Sequence, residues 1–346
     1  MNKLTMEYVN LRTGGITAEP IIDGEPVNNG VYLKSIVKQT DDVIAFFPTT
    51  TCLSIFDGQV FSSEMKFNLF KKSHPDYEQQ CENLRKLIMS QGIAIAAGAY
   101  TTRLTYNTDA VAVVDDQGIY LPRENGISEM LSYHLFEDSE QFHADAIVTN
   151  QRNVALVMYC ADCPTALLRD KVTGAIGVLH STWRGLVVDK EDGSQSSIVK
   201  TTIATMTRLY DTKPEDLEVT IFPCIGLDQY EVGDEVVSQY DKHLLGECIH
   251  YCDDGRPHLD LVGAVIKLCE RYGVKRESIE LTPYSTADYG FNSLRMAPVN
   301  YKSASEIDVK NISVSSDQPR ELRSRKSIDS DKLFTSALNV LIAYKT

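Results

Sequence analysis

Short apolar runs rich in Val, Ile and Ala return through the chain and constrain its fold more than any other feature. They are DDVIAFFPTT (41–50), DAVAVVD (109–115), AIVTN (146–150), NVALVMYC (153–160), GAIGVLH (174–180) and LEVTIFPC (217–224). Runs this short, bounded by turn residues and rich in β-branched side chains, read as buried strands. Segments of another period separate them. In HPDYEQQCENLRKLIMSQG (74–92), Tyr77, Cys81, Leu84, Leu87 and Ile88 recur at helical spacing, with Gly92 past the end. SSIVKTTIATMTRLY (196–210) and PHLDLVGAVIKLCERYGV (257–274) repeat that pattern. Strands alternating with helices define an α/β (mixed α+β) fold class. We place its domain at 46–300, after a turn-rich strand and loop extension over 1–45. Residues 301–346 form a polar, Ser-rich excursion, followed by FTSALNVLIAY (334–344), which returns as a final strand of the same domain.

Charge and composition exclude some partners. Asp plus Glu total 48 against 34 Lys plus Arg, a formal charge of −14, and a surface that acidic repels a phosphate backbone, which argues against nucleic-acid binding. No apolar run approaches a bilayer span, so no membrane partner is expected. The start MNKLTMEYVN has no basic-then-apolar leader pattern, which gives a cytoplasmic expectation. A small anionic substrate stays compatible, since it needs only a local basic pocket.

Eight cysteines are scattered through the chain, at 52, 81, 160, 163, 224, 248, 252 and 269. In a reducing compartment most serve as small buried hydrophobes. Cys160-Ala-Asp-Cys163 has redox-couple spacing but no redox signature around it, and no second C-x-x-C completes a zinc ribbon. Cys248, His250 and Cys252 alternate, followed by His258; on a strand, the first three would share one face and could hold a metal. Cys163 and His180 each follow an apolar strand run. His180 opens HSTWRG, where Arg184 beside the only tryptophan, Trp183, suits planar anion recognition. The residues alone leave the metal, thiol-nucleophile and purely structural readings open.

Several segments in order resemble the laccase-domain family of multicopper polyphenol oxidase-like, or purine nucleoside phosphorylase-like, proteins. They are FNLF (67–70), CENLRKL (81–87), ADAIVT (144–149), ADCPTALLRD (161–170), HSTWRG (180–185), PCIGLDQYEVGDEV (223–236) and HLDLVGAVIKLCERYGV (258–274). The resemblance covers about 50–300, and it implies layered sheets flanked by helices in a cysteine-hydrolase-like fold related to a cysteine deamidase toxin. It also implies one zinc (copper less so), held by a cysteine and two histidines, with an open position for water or substrate. Carried over by position, the ligands are Cys163 and His180, and the remaining histidine position is occupied by Asn107. An amide oxygen is a poor zinc ligand beside thiolate and imidazole. The family's T-T-R-x-G-G arginine is also missing, with Thr50-Thr51-Cys52 in its place. Its closing arginine motif is only partly echoed by Phe291-Asn292-Ser293-Leu294-Arg295, or by Arg323 and Arg325 after an insertion.

The resemblance implies phosphorolysis of purine nucleosides with phosphate and deamination of adenosine, with Arg184 and Tyr230 binding substrate. Two further expectations stand beside it. One is a metal-free hydrolase or amidase with Cys163 as nucleophile, His180 as base and Asn107 orienting the imidazole. The other is an inactive binding remnant. Tyr106 and His143 are named as possible substitutes for the absent ligand.

Overall fold

The structure is a computed structural model that describes residues 3–18, 21–22, 25–26, 28–57, 59–64, 77–92, 99–102, 109–116, 118–122, 130–131, 144–253, 255–287, 291, 293 and 339–345. FNLF, Tyr106, Asn107, His143, Arg295, Arg323 and Arg325 lie outside them.

Two eight-stranded sheets carry the fold. Along the first run Ile16–Thr17, Lys3–Asn10, Gly30–Gln39, Val43–Phe56, Asn339–Lys345, Ala155–Cys160 and Ala99–Thr101, with Gln59–Glu64 paired to Val43–Phe56. The second runs Met130–Leu131, Gly118–Tyr120, Val111–Asp115, Ala146–Thr149, Ile176–His180, Thr165–Asp170, Leu217–Ile221 and Ile279–Leu281. Every residue of Asn339–Lys345 is buried. It pairs antiparallel with Val43–Phe56 on one side and Ala155–Cys160 on the other.

Strand alternation in the second sheet explains the layers. Ala112, Val114, Ile147, Leu167 and Val178 join one hydrophobic cluster with Phe46, Phe47, Leu156 and Leu341 of the first sheet. Val111, Val113, Ala146, Ala166, Leu168 and Leu179 join a second cluster with helix residues. Side chains two apart share a face, so one face of the second sheet meets the first sheet and the other meets helices. Those helices are Ile198–Tyr210 and Leu261–Arg271, which contribute Ile198, Ile203, Met206, Leu261, Val265 and Leu268. Tyr77–Ser90 adds Leu84, Leu87 and Ile88 to the first cluster.

Local chemistry sets the helix ends. The Ser197 hydroxyl accepts from the Lys200 amide at 3.1 Å, and the Asp260 carboxylate from the Gly263 amide at 2.8 Å; each satisfies an orphan donor of the first turn. Gly273 follows Leu261–Arg271 at φ 95°, a left-handed conformation that glycine adopts without strain. A further helix, Asp234–Lys242, is absent from the sequence reading. Its apolar positions are few, with only Val236 and Tyr240 buried, so its periodicity is faint.

Candidate functional site

The stretch Cys160-Ala-Asp-Cys163-Pro164 is the crossover between the two sheets. Ala155–Cys160 belongs to the first and Thr165–Asp170 to the second. This placement separates the two cysteines. Cys160 is buried in the first core, while Cys163 is partly exposed beyond it. Neighbouring segments pin the link at successive residues. Asn339 donates to the Ala161 carbonyl at 2.8 Å, and the Ile225 amide to the Asp162 carbonyl at 2.8 Å. The Thr286 hydroxyl donates to the Asp162 carboxylate at 2.9 Å, and the Ser181 amide to the Pro164 carbonyl at 2.8 Å. A cysteine held from so many sides has a fixed direction of approach.

His180 ends Ile176–His180 and is fully buried. Its neighbour across the sheet is Ala146–Thr149, with Ala146 opposite Leu179. One step further, Asp145 stands against His180: the His180 amide donates to the Asp145 carbonyl at 2.7 Å, and Nδ1 lies 3.2 Å from Asp145 Oδ1. Cys163 is the other group that acts on this imidazole. Burial works to lower the His180 pKa. The hydrogen bond with Asp145 and the negative charges of Cys163 and Asp145 outweigh it, raising the pKa to about 9. A carboxylate on Nδ1 makes that nitrogen the donor and fixes the ring. The site therefore reads in order carboxylate, imidazole, thiol, the first two at strand ends and the thiol on the crossover, as the accessible member.

Asp145 is the residue that sequence reading missed. It lies within ADAIVT, which carried the family resemblance but was given no role. The only available signal was a carboxylate immediately before an apolar strand, and that signal becomes specific once the strand pairs beside His180. Asp145 is the carboxylate that stands behind His180 Nδ1, while Asn107, for which an orienting role was expected, lies outside the described residues.

The substrate-binding candidates are placed differently. The Arg184 guanidinium lies 4.5 Å from the Trp183 ring centroid and donates to Glu235 at 3.2 Å. Trp183 is anchored by its carbonyl, which accepts from the Tyr240 hydroxyl at 3.2 Å. Tyr230 is buried in the second core. Its amide donates to Leu227 and its carbonyl accepts from Leu259, each at 3.1 Å.

The alternating set around 250 does not converge as its spacing suggested. Cys248 is buried and closes a short 3₁₀ turn over Gly246–Cys248, so it precedes the strand Ile249–Tyr251, where His250 is exposed. His258 sits opposite His250 in a two-stranded ribbon and its Nδ1 lies 2.9 Å from the Leu227 carbonyl. The turn breaks the alternation that would have put all three ligands on one face.

A catalytic zinc takes three protein donors and leaves a fourth place open. Cys163 and His180 supply two, with Asp145 behind the imidazole as a second-sphere carboxylate would be. Among the described residues, no group of three or more His, Cys, Asp or Glu side chains is arranged to hold a metal ion. The described donor set thus falls short of a zinc or copper site.

Two stacked sheets with helices on one face, and a thiol–imidazole–carboxylate row at their crossover, define the class of protein. The chain belongs to the family described as multi-copper polyphenol oxidoreductase laccase, whose pattern matches residues 57–299. A purine nucleoside phosphorylase of Deinococcus radiodurans is 37% identical over 133 residues, covering 38% of this chain and 49% of that protein. An adenosine deaminase from an unknown prokaryotic organism is 31% identical over 123 residues, covering 35% of this chain and 44% of that protein. The chain spans about half the length of the curated relatives it matches. In fold it is similar to the Bacillus licheniformis hypothetical protein YfiH, with TM-score 0.61 and 17% identity, covering 88% of this chain and 93% of that one.

Proposed function

We propose that this chain is an enzyme acting on purine nucleosides, cleaving the glycosidic bond with phosphate at Cys163, His180 and Asp145. The names of its family relatives support the substrate class. The row of Asp145, His180 and Cys163, with Asp145 Oδ1 3.2 Å from His180 Nδ1 and the thiol acting on the same ring, is the single observation that carries the chemistry. His180 holds a proton up to about pH 9. Cys163 links that buried proton to the accessible side, where a departing purine requires one. Asp145 keeps the ring in one tautomer and offsets its positive charge. Arg184, over the Trp183 ring, offers a fork of donors to phosphate or ribose in exchange for Glu235. Adenosine deamination at the same site is the finer reading supported by the deaminase relative.

The Asp145 contact also favours a second reading: a metal-free thiol hydrolase on amides or esters, with Cys163 as nucleophile and His180 as the imidazole that holds the thiol's proton in the resting pair, where the sequence suggested a neutral base. Purified protein incubated with adenosine or inosine and phosphate, with products separated by chromatography, decides between them. The expected products are free base and sugar phosphate, lost in Cys163→Ala. A protein that releases no base, but whose Cys163 alkylates faster than its other cysteines, would overturn the phosphorolysis reading in favour of the hydrolase. Absence of both leaves a binding remnant. Metal analysis of the same sample, with Asn107→His alongside, tests whether an added imidazole creates a zinc site.

A further inference from the structure

Cys163 has a second cysteine near it besides Cys160: Cys224, whose thiol donates to the Ile225 carbonyl at 3.4 Å. Thr165–Asp170 and Leu217–Ile221 pair antiparallel, with Ala166 opposite Ile221. The alignment continues beyond the strands: the Phe222 amide donates to the Thr165 carbonyl at 2.9 Å, and the Ile225 amide to the Asp162 carbonyl at 2.8 Å. Two residues lie between these bonds on each side, Cys163-Pro164 and Pro223-Cys224. These bonds close a short link at the end of the strand pair, with Cys163 on one segment and Cys224 on the other. A disulfide between two such segments requires Cα atoms about 4.4–6.8 Å apart.

The two thiols differ in the way a sensor pair should. Cys163 is partly exposed beside His180, whereas Cys224 is buried. A peroxide meets the first and not the second. The backbone of Cys224 is held in place, its carbonyl accepting from the Thr286 amide at 2.9 Å.

We propose that Cys163 and Cys224 form a reversible peroxide-dependent disulfide, with Cys163 as the oxidised residue and Cys224 as the resolving one. In the first step the Cys163 sulfur attacks hydrogen peroxide. An S–O bond forms, the O–O bond breaks, and the departing hydroxide leaves as water with the Cys163 thiol proton. In the second, the Cys224 sulfur attacks the Cys163 sulfur. The S–S bond forms, the S–O bond breaks, and a second water leaves with the Cys224 proton. Peroxide gains two electrons and the thiol pair loses two. The bond withdraws Cys163 from His180 and protects it from irreversible oxidation.

The test reads covalent structure, so it does not depend on which activity the protein has. The reduced full-length chain is titrated with hydrogen peroxide, alkylated and digested without reductant, and fragment ions separate Cys160 from Cys163. A Cys163–Cys224 bond that dithiothreitol removes is the expected result. In Cys224→Ser, sulfinic acid at Cys163 should rise at least about tenfold over the native chain at equal peroxide. A Cys160–Cys163 bond, or sulfinic Cys163 in the native chain without any bond to Cys224, would overturn the proposal. The native peptide map decides it even if the variant does not fold.

Discussion

The hairpin Thr165–Asp170 and Ile176–His180 has two ends that use carboxylates for opposite purposes. At its turn, Asp170 accepts from the Val172 and Thr173 amides at 2.8 and 3.1 Å and from the Thr173 hydroxyl at 2.7 Å. Arg169 reaches Asp42 at 2.6 Å and Glu218 at 2.8 Å. At the open end, Asp145 backs a buried imidazole that in turn faces a partly exposed thiol. The turn end spends its carboxylate on backbone amides, which shape the chain and leave nothing to react. The open end aims its carboxylate at a titratable ring and leaves the last atom of the row accessible. One hairpin thus joins a structural polar knot to a chemical one, and burial with a free terminus is what distinguishes them.

The sharpest way to break this contrast is at the thiol. Cys163→Ala should lower turnover at least about 1000-fold, roughly 4 kcal/mol of transition-state stabilisation, while thermal unfolding stays nearly unchanged. Steady-state assays beside a melting curve check both halves. Asp145→Asn keeps the shape but offers Nδ1 no negative charge; kcat should fall on the order of 100-fold and the basic limb of the pH profile should shift downward. A profile that does not move would reduce Asp145 to a packing role.

The next expectation concerns stability. His180 has a folded pKa of about 9 against an ordinary 6.5. The folded state therefore holds the extra proton between those values. Its stabilisation is fully present below about pH 6.5 and is lost as the pH rises through 9, on the order of 3 kcal/mol. Urea titrations at pH 6 and 9 should show this loss, and His180→Gln should flatten it. Asp170 runs the other way. Hydrogen bonds from the Thr173 hydroxyl and two backbone amides overcome burial and lower its pKa, so its contribution is present above the ordinary carboxylate range and is lost as the pH falls below it. Asp170→Ala should cost about 2 kcal/mol in urea unfolding and leave kcat unaltered. The smallest effect is at Arg184→Ala, which should raise KM for phosphate about tenfold with little change in kcat.

Much of this architecture was legible in local pattern. Val111 to Val114 read as a strand because their alternation and β-branching suit a pleated surface, and both faces proved to be buried. Ser196 to Tyr210 read as a helix, and the chain enters it at the Ser197 cap. Asp234–Lys242 was not legible, because a short polar helix with two buried side chains carries almost no periodic signal. At the site, Cys163 and His180 stood out as reactive side chain types after apolar strands. Asp145 did not, since one carboxylate among 48 acidic residues gains meaning only from the strand beside it.

By itself, then, the sequence determined the strand and helix alternation, the family, and the two side chains best able to react. Those properties are local, encoded in period, composition and ordered motifs. Tertiary structure alone decided the partnerships. It drew Cys160 into one sheet's core and left Cys163 at the crossover, put Asp145 behind His180, and tied the segment of Cys224 to that crossover through the Ile225 amide. The physical reason is register: pairing between strands distant in the chain depends on the packing of whole sheets, and no single segment contains that information.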